Sequence, residues 1–386
     1  LQRVILAPED DDLMPPLSEK SDREPLTANQ ISILKSWIEG GAHWPEGVTL
    51  AAKPHAPAAE DPSVPDPELA SLEVYPESVN LETAADFHRV VVIGKYRDAT
   101  ARNVTAWAKF SLANPELASL EGSLLKPKTD GGTVLAIEFR GQKAEIPVTV
   151  KDAAVPRPIS FQLDIMPVLT SGNCNTGSCH GSARGQDGFM LSIFGYDPKG
   201  DHQRITRQLS GRRVNLALPE ESLLVTKTTG QVPHTGGKLF ERDSANAKTL
   251  IAWIKAGVPY DKDDIALPVG IDVEPRQYVL KGEKVKVPLT VRARYSDGTD
   301  RDVTNLSNFS SSNDNSVEID GSTGVAKTKN RGEAFLLARF HTYTEGTQAI
   351  VIPANLDYEK PDLKDFNYVD THVHTKLHKL RIYPSN

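Results

Sequence analysis

The sequence has few cysteines, few aromatic residues and no long apolar run. Its 386 residues include two cysteines, Cys174 and Cys179, which are too few for a disulfide framework. No stretch approaches the roughly 18 consecutive apolar residues that a membrane-spanning helix needs, so no transmembrane segment is predicted. The net charge of −7 argues against a nucleic-acid partner. The remaining composition, 39% hydrophobic and 25% charged, is that of a globular protein long enough for two or three domains.

A repeat of β-type sequence divides the chain. Residues 72–76 match residues 271–275, and residues 96–105 match residues 295–304, in both cases 199 positions apart. Around each copy, short alternating runs of apolar and polar residues are separated by Gly, Asn, Asp and Pro. That texture is typical of a β-sandwich. The repeat therefore predicts two copies of one sandwich.

A second repeat is helical. Residues 34–41 match residues 250–257. In the first copy, Thr27 and Gln30 have the spacing of a capping box, which predicts a helix start. Residues 44–67 are rich in Pro, Ala and acidic residues and cannot fill a core, so they are interpreted as part of a linker. Residues 368–380 carry apolar side chains at helical spacing, which predicts one more helix.

The two cysteines and the histidine behind them form the most informative stretch. Cys174 and Cys179 are followed directly by His180. Two thiols can form thioether links to the vinyl groups of a haem, and the next imidazole can bind its iron as the proximal ligand. The usual motif has two residues between the cysteines; here there are four, and Gly177 would allow the longer loop to bulge. A local disulfide with an incidental histidine and a zinc site are the alternatives.

Several residues are candidates for the rest of this haem site. His234 lies in a loop, residues 231–237, which proline stiffens and in which glycine permits close approach to a flat ligand. It is therefore the predicted distal iron ligand, with Met190, His202 and solvent as alternatives; His202 is interpreted as a surface residue. The candidate walls of the pocket are Phe189, Leu191 and Phe194.

Met14 occupies the place in the first helical repeat that His234 occupies in the second. A thioether is a suitable haem-iron ligand. Met14 is therefore a candidate distal ligand of a second haem, one attached through residues that are not in this chain.

The stretches that carry this chemistry resemble the large multidomain planctomycete cytochrome proteins. The resemblance rests on residues 174–181, 185–198, 211–214 and 232–237, and the second cytochrome-like unit of those proteins has the same four-residue gap. Residues 13–16 and 34–44 are similar to the latter half of the planctomycete cytochrome C domain. The β repeats resemble bacterial immunoglobulin-like group 2 domains, and residues 366–386 resemble the start of the uncharacterised domain that follows them. The resemblance implies that Cys174 and Cys179 attach haem c and that His180 is the proximal ligand.

The expected fold class is multidomain, with all-α cytochrome c-like units alternating with all-β immunoglobulin-like sandwiches. The expected domains are, in order, the C-terminal half of a cytochrome c-like domain (1–50), a linker (51–70), sandwich 1 (71–153), a haem domain (154–265), sandwich 2 (268–354), and a connector with the start of a truncated helical domain (355–386).

The expected function is that of a periplasmic, cell-surface or secreted c-type cytochrome that transfers electrons, with the sandwiches as spacers or docking modules. Its partners would be an unidentified redox protein, or other fragments or copies of the same polypeptide. Any catalytic domain would lie outside this chain. Two alternatives stand beside this prediction. One is a cell-surface adhesive or scaffold protein whose haem or disulfide is structural; the other is a haem enzyme with an open sixth coordination position.

Overall fold

The computed structural model describes residues 26–41, 68–209, 211–356 and 358–384. The chain divides into two units, residues 1–59 and residues 60–386. In the first unit, helix α1 spans Ala28–Glu39. It begins with the predicted capping box, in which the Thr27 hydroxyl accepts from the Gln30 N–H and the Gln30 side chain accepts from the Thr27 N–H. Met14 and residues 51–67 of the predicted linker lie outside the described residues.

The second unit starts with a ten-strand sandwich, called sandwich 1. Its strands form three sheets, in the orders β1-β4-β5, β2-β10-β9-β6 and β3-β8-β7. In the longest strands the buried residues alternate with exposed ones, because one face of each sheet covers the core. The strands are β1 Leu69–Tyr75, β2 Val79–Leu81, β3 His88–Arg89, β4 Val91–Tyr96, β5 Ala101–Asn103, β6 Lys109–Leu112, β7 Ala118–Glu121, β8 Leu124–Pro127, β9 Gly131–Phe139 and β10 Gln142–Val150.

A second ten-strand sandwich, sandwich 2, repeats this topology strand for strand. Its sheets have the orders β11-β14-β15, β12-β20-β19-β16 and β13-β18-β17. The last two strands of each sandwich form an antiparallel hairpin. The turn of the hairpin in sandwich 2 contains His341, which has a positive φ. The strands are β11 Pro268–Glu274, β12 Gln277–Lys281, β13 Lys286–Pro288, β14 Thr290–Tyr295, β15 Asp300–Asp302, β16 Asn308–Ser311, β17 Val317–Ile319, β18 Val325–Thr328, β19 Gly332–Phe340 and β20 Tyr343–Ile352.

Residues 154–265 form a unit between the sandwiches, here called the central unit. A π-helical turn, Phe161–Ile165, leads directly into α2, Met166–Ser171. The other helices are α3 Pro198–Thr206, α4 Leu223–Thr228 and α5 Ala245–Lys255. Trp253 of α5 is fully buried among the π-helical turn, α2 and α4, and its indole N–H donates to the Pro259 carbonyl. Beyond sandwich 2, helix α6 spans Tyr368–Leu380 and packs on β20.

The predicted fold class is wrong. In the described residues strands predominate, and the central unit is not an all-α cytochrome domain. Its helices have only 6, 9, 6 and 11 residues, and irregular loops join them. The reason lies in the loop between α2 and α3, where Asn173, Gly185, Asp187, Gly188 and Phe194 all have positive φ. Such residues end a right-handed helix, so the apolar positions between them are buried by loops.

The two sandwiches pack directly against each other. Strand β5 contacts β12 and β13, while β15 contacts β2 and β3. On the second of these contacts, the Arg89 backbone N–H and Nε both donate to Oδ2 of Asp302, at 3.1 and 3.2 Å. Asn80 Nδ2 donates to Asp300 Oδ2 at 3.1 Å, and His88 Nε2 lies 3.5 Å from Asp300 Oδ1. These contacts hold the two sandwiches directly against each other.

Candidate functional site

A cavity of about 460 Å³ lies in the central unit. Its walls come from the end of α2, the loop of residues 172–191, helix α4 and the loop of residues 234–239. The cavity collects most of the site residues predicted from the sequence: Cys174, Cys179, His180, Phe189, Leu191 and His234.

The loop of residues 172–191 is folded tightly enough to bring these side chains together. The His180 N–H donates to the Cys174 carbonyl at 3.0 Å, and the Leu191 N–H donates to the His180 carbonyl at 2.8 Å. Gly181 is packed against the backbone, since a Cβ atom there would lie 2.2 Å from the Asn175 carbonyl oxygen. Only glycine fits this approach, and the tight turn holds His180 against the cavity.

His180 is held in one tautomer. Its Nδ1–H donates to the Phe189 carbonyl at 2.9 Å, which leaves the lone pair on Nε2. Burial lowers the pKa of His180, and the positive charges of Lys227 and Arg213 and the neighbouring His234 lower it further, although the hydrogen bond to Phe189 opposes them. The imidazole is therefore neutral at neutral pH and offers a free nitrogen lone pair.

His234 reaches the same cavity from the loop behind α4. Its Nδ1–H donates to the Gly237 carbonyl at 3.1 Å, which fixes the ring. The ring planes of His180 and His234 are within 8° of parallel, and their centroids are 6.4 Å apart. Two regions of sequence more than fifty residues apart therefore present matched imidazoles to one cavity.

The two cysteines are free thiols, so the local disulfide is not formed. Cys174 is buried, and burial together with the neighbouring Cys179 raises the pKa of its thiol to about 12. Cys174 is thus protonated at neutral pH and a poor nucleophile. Cys179 is only partly buried and is the more accessible of the two.

The sequence analysis did not assign the cations of the cavity. Arg212, Arg213 and Lys227 all line it, whereas Asp187 is its one acidic lining residue among those described. Arg213 is only 6% exposed, its guanidinium lies 4.3 Å from the centroid of the Phe189 ring, and its Nη1 donates to two backbone carbonyls. The sequence feature that could have indicated these cations is the pair of adjacent arginines in the short turn of residues 211–214. The lining is cationic and partly apolar, a combination that suits an anion with an apolar body.

Other predicted site residues lie elsewhere. Phe194 does not line the cavity. Its backbone has a positive φ, and its ring stacks under the Arg339 guanidinium of sandwich 2 at 4.2 Å. His202 is not a surface residue: it lies among Phe161, Trp253 and Tyr260, and its Nε2–H donates to the Val258 carbonyl. Met190 is not a lining residue either. Met14 is outside the described residues.

Comparison with known proteins gives structural likeness only. No protein family matches the chain, and no curated protein matches it. Domains 5–6 of the S-layer protein SbsC are similar with 12% identity and a TM-score of 0.28, over 74% of this chain and 99% of that one. Domains 4–9 of SbsC are similar with 14% identity and a TM-score of 0.29, over 79% of this chain and 35% of that one. Cadherin domains 1–4 of protocadherin gamma B7 are 9% identical with a TM-score of 0.17, over 73% and 50%.

The prediction of haem c is wrong on these findings. In the parts of the chain that the structure describes, no three His, Cys, Asp or Glu side chains are grouped so that they could hold a metal ion. The chain also lacks the two-residue cysteine spacing of the usual attachment motif. The haem at Cys174 and Cys179 and the class of c-type cytochrome are corrected accordingly, whereas the second haem was predicted at Met14, which lies outside the described residues. None of the described helices has the length and apolar character of a membrane span.

Proposed function

We propose that this chain is a structural scaffold module that works outside the cytoplasm, at the cell surface. The observation that carries the proposal is the direct packing of the two sandwiches. A spacer with independent domains needs no such contact, whereas a rigid building block does.

The packing between the sandwiches is buried as well as polar. Asp302 is 7% exposed and Asp300 is 8% exposed, and both accept hydrogen bonds from sandwich 1. Beside these polar contacts, Val91, Ile93 and Ala101 of sandwich 1 belong to the same buried apolar cluster as the core of sandwich 2. An interface with a shared apolar core resists the relative motion that is the default between domains.

The central unit reinforces this arrangement. Asp164, next to the start of α2, accepts hydrogen bonds from Arg301 of sandwich 2 and from both terminal nitrogens of Arg157. Asn308 of sandwich 2 donates to the side chain of Asn173 at 2.9 Å. The C-terminal segment adds a further link, since Arg381 donates to the Asp98 carbonyl of sandwich 1 at 2.6 Å.

Two measurements test the scaffold proposal. Small-angle scattering of the full chain should give a particle whose maximum dimension matches packed sandwiches, and relaxation measurements should give one tumbling time for both. Protease treatment of intact cells of the organism that makes the protein should remove it before lysis. Independent tumbling of the sandwiches, or complete protection of the protein in intact cells, would contradict the proposal.

The cavity favours a second candidate function, the binding of a small anionic ligand with an apolar body. Arg212, Arg213 and Lys227 would hold the anionic group, and Phe189 and Leu191 would contact the apolar part. The fluorescent probe anilinonaphthalene sulfonate has this chemistry. Its affinity should fall roughly tenfold in Lys227→Gln, which removes one of the three cations; a tenfold change corresponds to about 1.4 kcal/mol of binding free energy. Lys255→Gln, which changes a charge paired with Glu220 instead, is the matched control. Equal affinity in both variants would exclude the cavity as the binding site.

A further inference from the structure

The interface between the sandwiches has an approximate two-fold symmetry. Strand β5 stands 199 positions before β15, and β2 and β3 correspond in the same way to β12 and β13. Each sandwich therefore places its fifth strand on the second and third strands of the other. This is the arrangement of a symmetric dimer, in which one patch meets its own copy.

The two halves of this symmetric interface differ in chemistry. One half is polar: His88, Arg89 and Asn80 of sandwich 1 meet Asp300 and Asp302 of sandwich 2. The symmetry-related half is less polar, since the corresponding residues are Val287, Pro288, Val279, Ala101 and Asn103, respectively. Its ion pair joins Lys281 to Asp98 at 3.8 Å.

This asymmetry specifies which sandwich can pair with which. If sandwich 2 paired with a second sandwich 2, Asp300 would face Val287 in both halves and keep only Arg292 of its own sandwich. The buried Asp302 of each copy would lose its cation, Arg89. If sandwich 1 paired with itself, Arg89 would face Asn103 without an acid. An unpaired buried charge is strongly unfavourable, so only sandwich 1 with sandwich 2 is a matched pair.

The connection between sandwich 1 and the rest of the chain can act as a hinge. After β10 ends at Val150, residues 151–160 form no helix or strand. Ala153 is still buried in the core of sandwich 1, and the Val155 carbonyl accepts from the Ala84 N–H, so the connection begins at Pro156. The central unit, by contrast, is tied to sandwich 2 through Asp164 and Arg301. If the interface between the sandwiches opened, the central unit would therefore stay with sandwich 2 and sandwich 1 would move.

We propose that the matched interface also forms between two copies of this chain, by exchange of sandwich 1. Sandwich 1 of each copy would swing about residues 156–160 and pair with sandwich 2 of the other copy. The result is a closed dimer with two interfaces of the kind seen within one chain, and such exchange needs no new contact surface. The inference rests on the scaffold function and names its partner, a second copy of the chain.

Charge reversal in the full chain tests the exchange. In Arg89→Glu, Glu would face Asp302; in Asp302→Arg, two arginines would face each other. Each variant alone should be an opened monomer. When the two are mixed, one interface is native and the other pairs Glu with Arg, so a one-to-one heterodimer should form. Sedimentation measures its mass, and a tenfold excess of heterodimer over either homodimer is the expected result. The double variant should close again as a monomer.

A matched control separates the interface from a general charge effect. Lys126→Glu reverses an exposed charge of sandwich 1 that pairs with Glu121, and its mixture with Asp302→Arg should contain no heterodimer. Heterodimer in this control, or none in the test mixture, overturns the proposal.

Folding of the variants is checked separately. Amide exchange in β9–β10 and β19–β20 reports whether each sandwich retains its own core. If Asp302→Arg does not fold, a refolding experiment at high protein concentration replaces the mixing test. Wild-type chains should then yield a fraction of dimer, and Arg89→Glu chains should yield none. Equal dimer fractions would overturn the proposal. Because the scaffold tests use wild-type rigidity and location, exchange can fail while the scaffold function holds.

Discussion

Asp164 of the central unit and Arg301 of sandwich 2 form a buried ion pair, with Oδ1 3.1 Å from Nη2. The two residues are 137 positions apart in sequence. Arg157 binds the same carboxylate through both of its terminal nitrogens at 3.1 Å. The pair therefore fastens the unit that holds the cavity to the body formed by the sandwiches.

Loss of the Asp164 charge should destabilise the chain strongly. Asp164→Asn leaves the buried Arg301 without an anion, and breaking a buried pair in this way costs about 3–5 kcal/mol of unfolding free energy. Denaturant titration measures the change. As a control, Glu121→Gln disrupts the exposed pair with Lys126 and should cost at most about 1 kcal/mol. Equal effects of the two substitutions would show that Asp164 has no such role.

Stability should fall in acid through the same residues. Burial raises the pKa of Asp164, but Arg301 and Arg157 outweigh it and hold the value below the ordinary 3.8. In the same way, burial of Asp300 is outweighed by His88, Asn80 and Arg292, and its pKa is also lowered. A lowered carboxylate pKa contributes stability that is present above the ordinary pKa and is lost as pH falls through the folded-state value. Melting temperature against pH should therefore drop most steeply below pH 3.8, and less steeply in Asp164→Asn.

His180 should titrate in the opposite sense from a salt-bridged histidine. Its pKa is lowered from 6.5, mainly by burial and in part by Lys227. Protonation therefore disfavours the folded state, and the contribution of His180 to stability, full above pH 6.5, is lost as pH falls through the folded-state pKa. An NMR titration should give a midpoint below 6.5 that moves upward in Lys227→Gln. In Lys255→Gln the midpoint should not move; a shift there would show that the effect is not local.

The loop at the cavity gives a paired glycine test. A Cβ at Gly181 would lie 2.2 Å from the Asn175 carbonyl oxygen, whereas a Cβ at Gly177 meets nothing within 4 Å. Gly181→Ala must move backbone, so it should cost about 1–3 kcal/mol of unfolding free energy and alter the hydrogen bond between His180 and Phe189. Gly177→Ala should change stability by less than about 0.5 kcal/mol. Thermal unfolding of both variants, together with the NMR signals of the His180 ring, measures these effects. Equal effects of the two substitutions would show that the loop is not tightly packed at Gly181.

Some features of the fold and of the cavity could be predicted from the sequence, and others could not. The capping box at Thr27 and Gln30 was readable because both partners lie within one turn of helix. The grouping of Cys174, Cys179 and His180 needed only adjacency, and His234 was found because its loop repeats a pattern. Phe194 was placed wrongly, because the sign of its φ depends on contacts with Asn175 and Arg339 that no local pattern contains.

The sequence by itself determined the repeats, the alternation of the strands and the residues that meet near the two thiols, because these depend on local period and spacing. Only the tertiary structure decided that the central unit is built largely of loops, that Arg213 and Lys227 face the cavity, and that Asp302 meets Arg89 across 213 positions. Those outcomes depend on contacts between distant segments, whose free energy is set by burial and charge pairing that no short window of sequence contains.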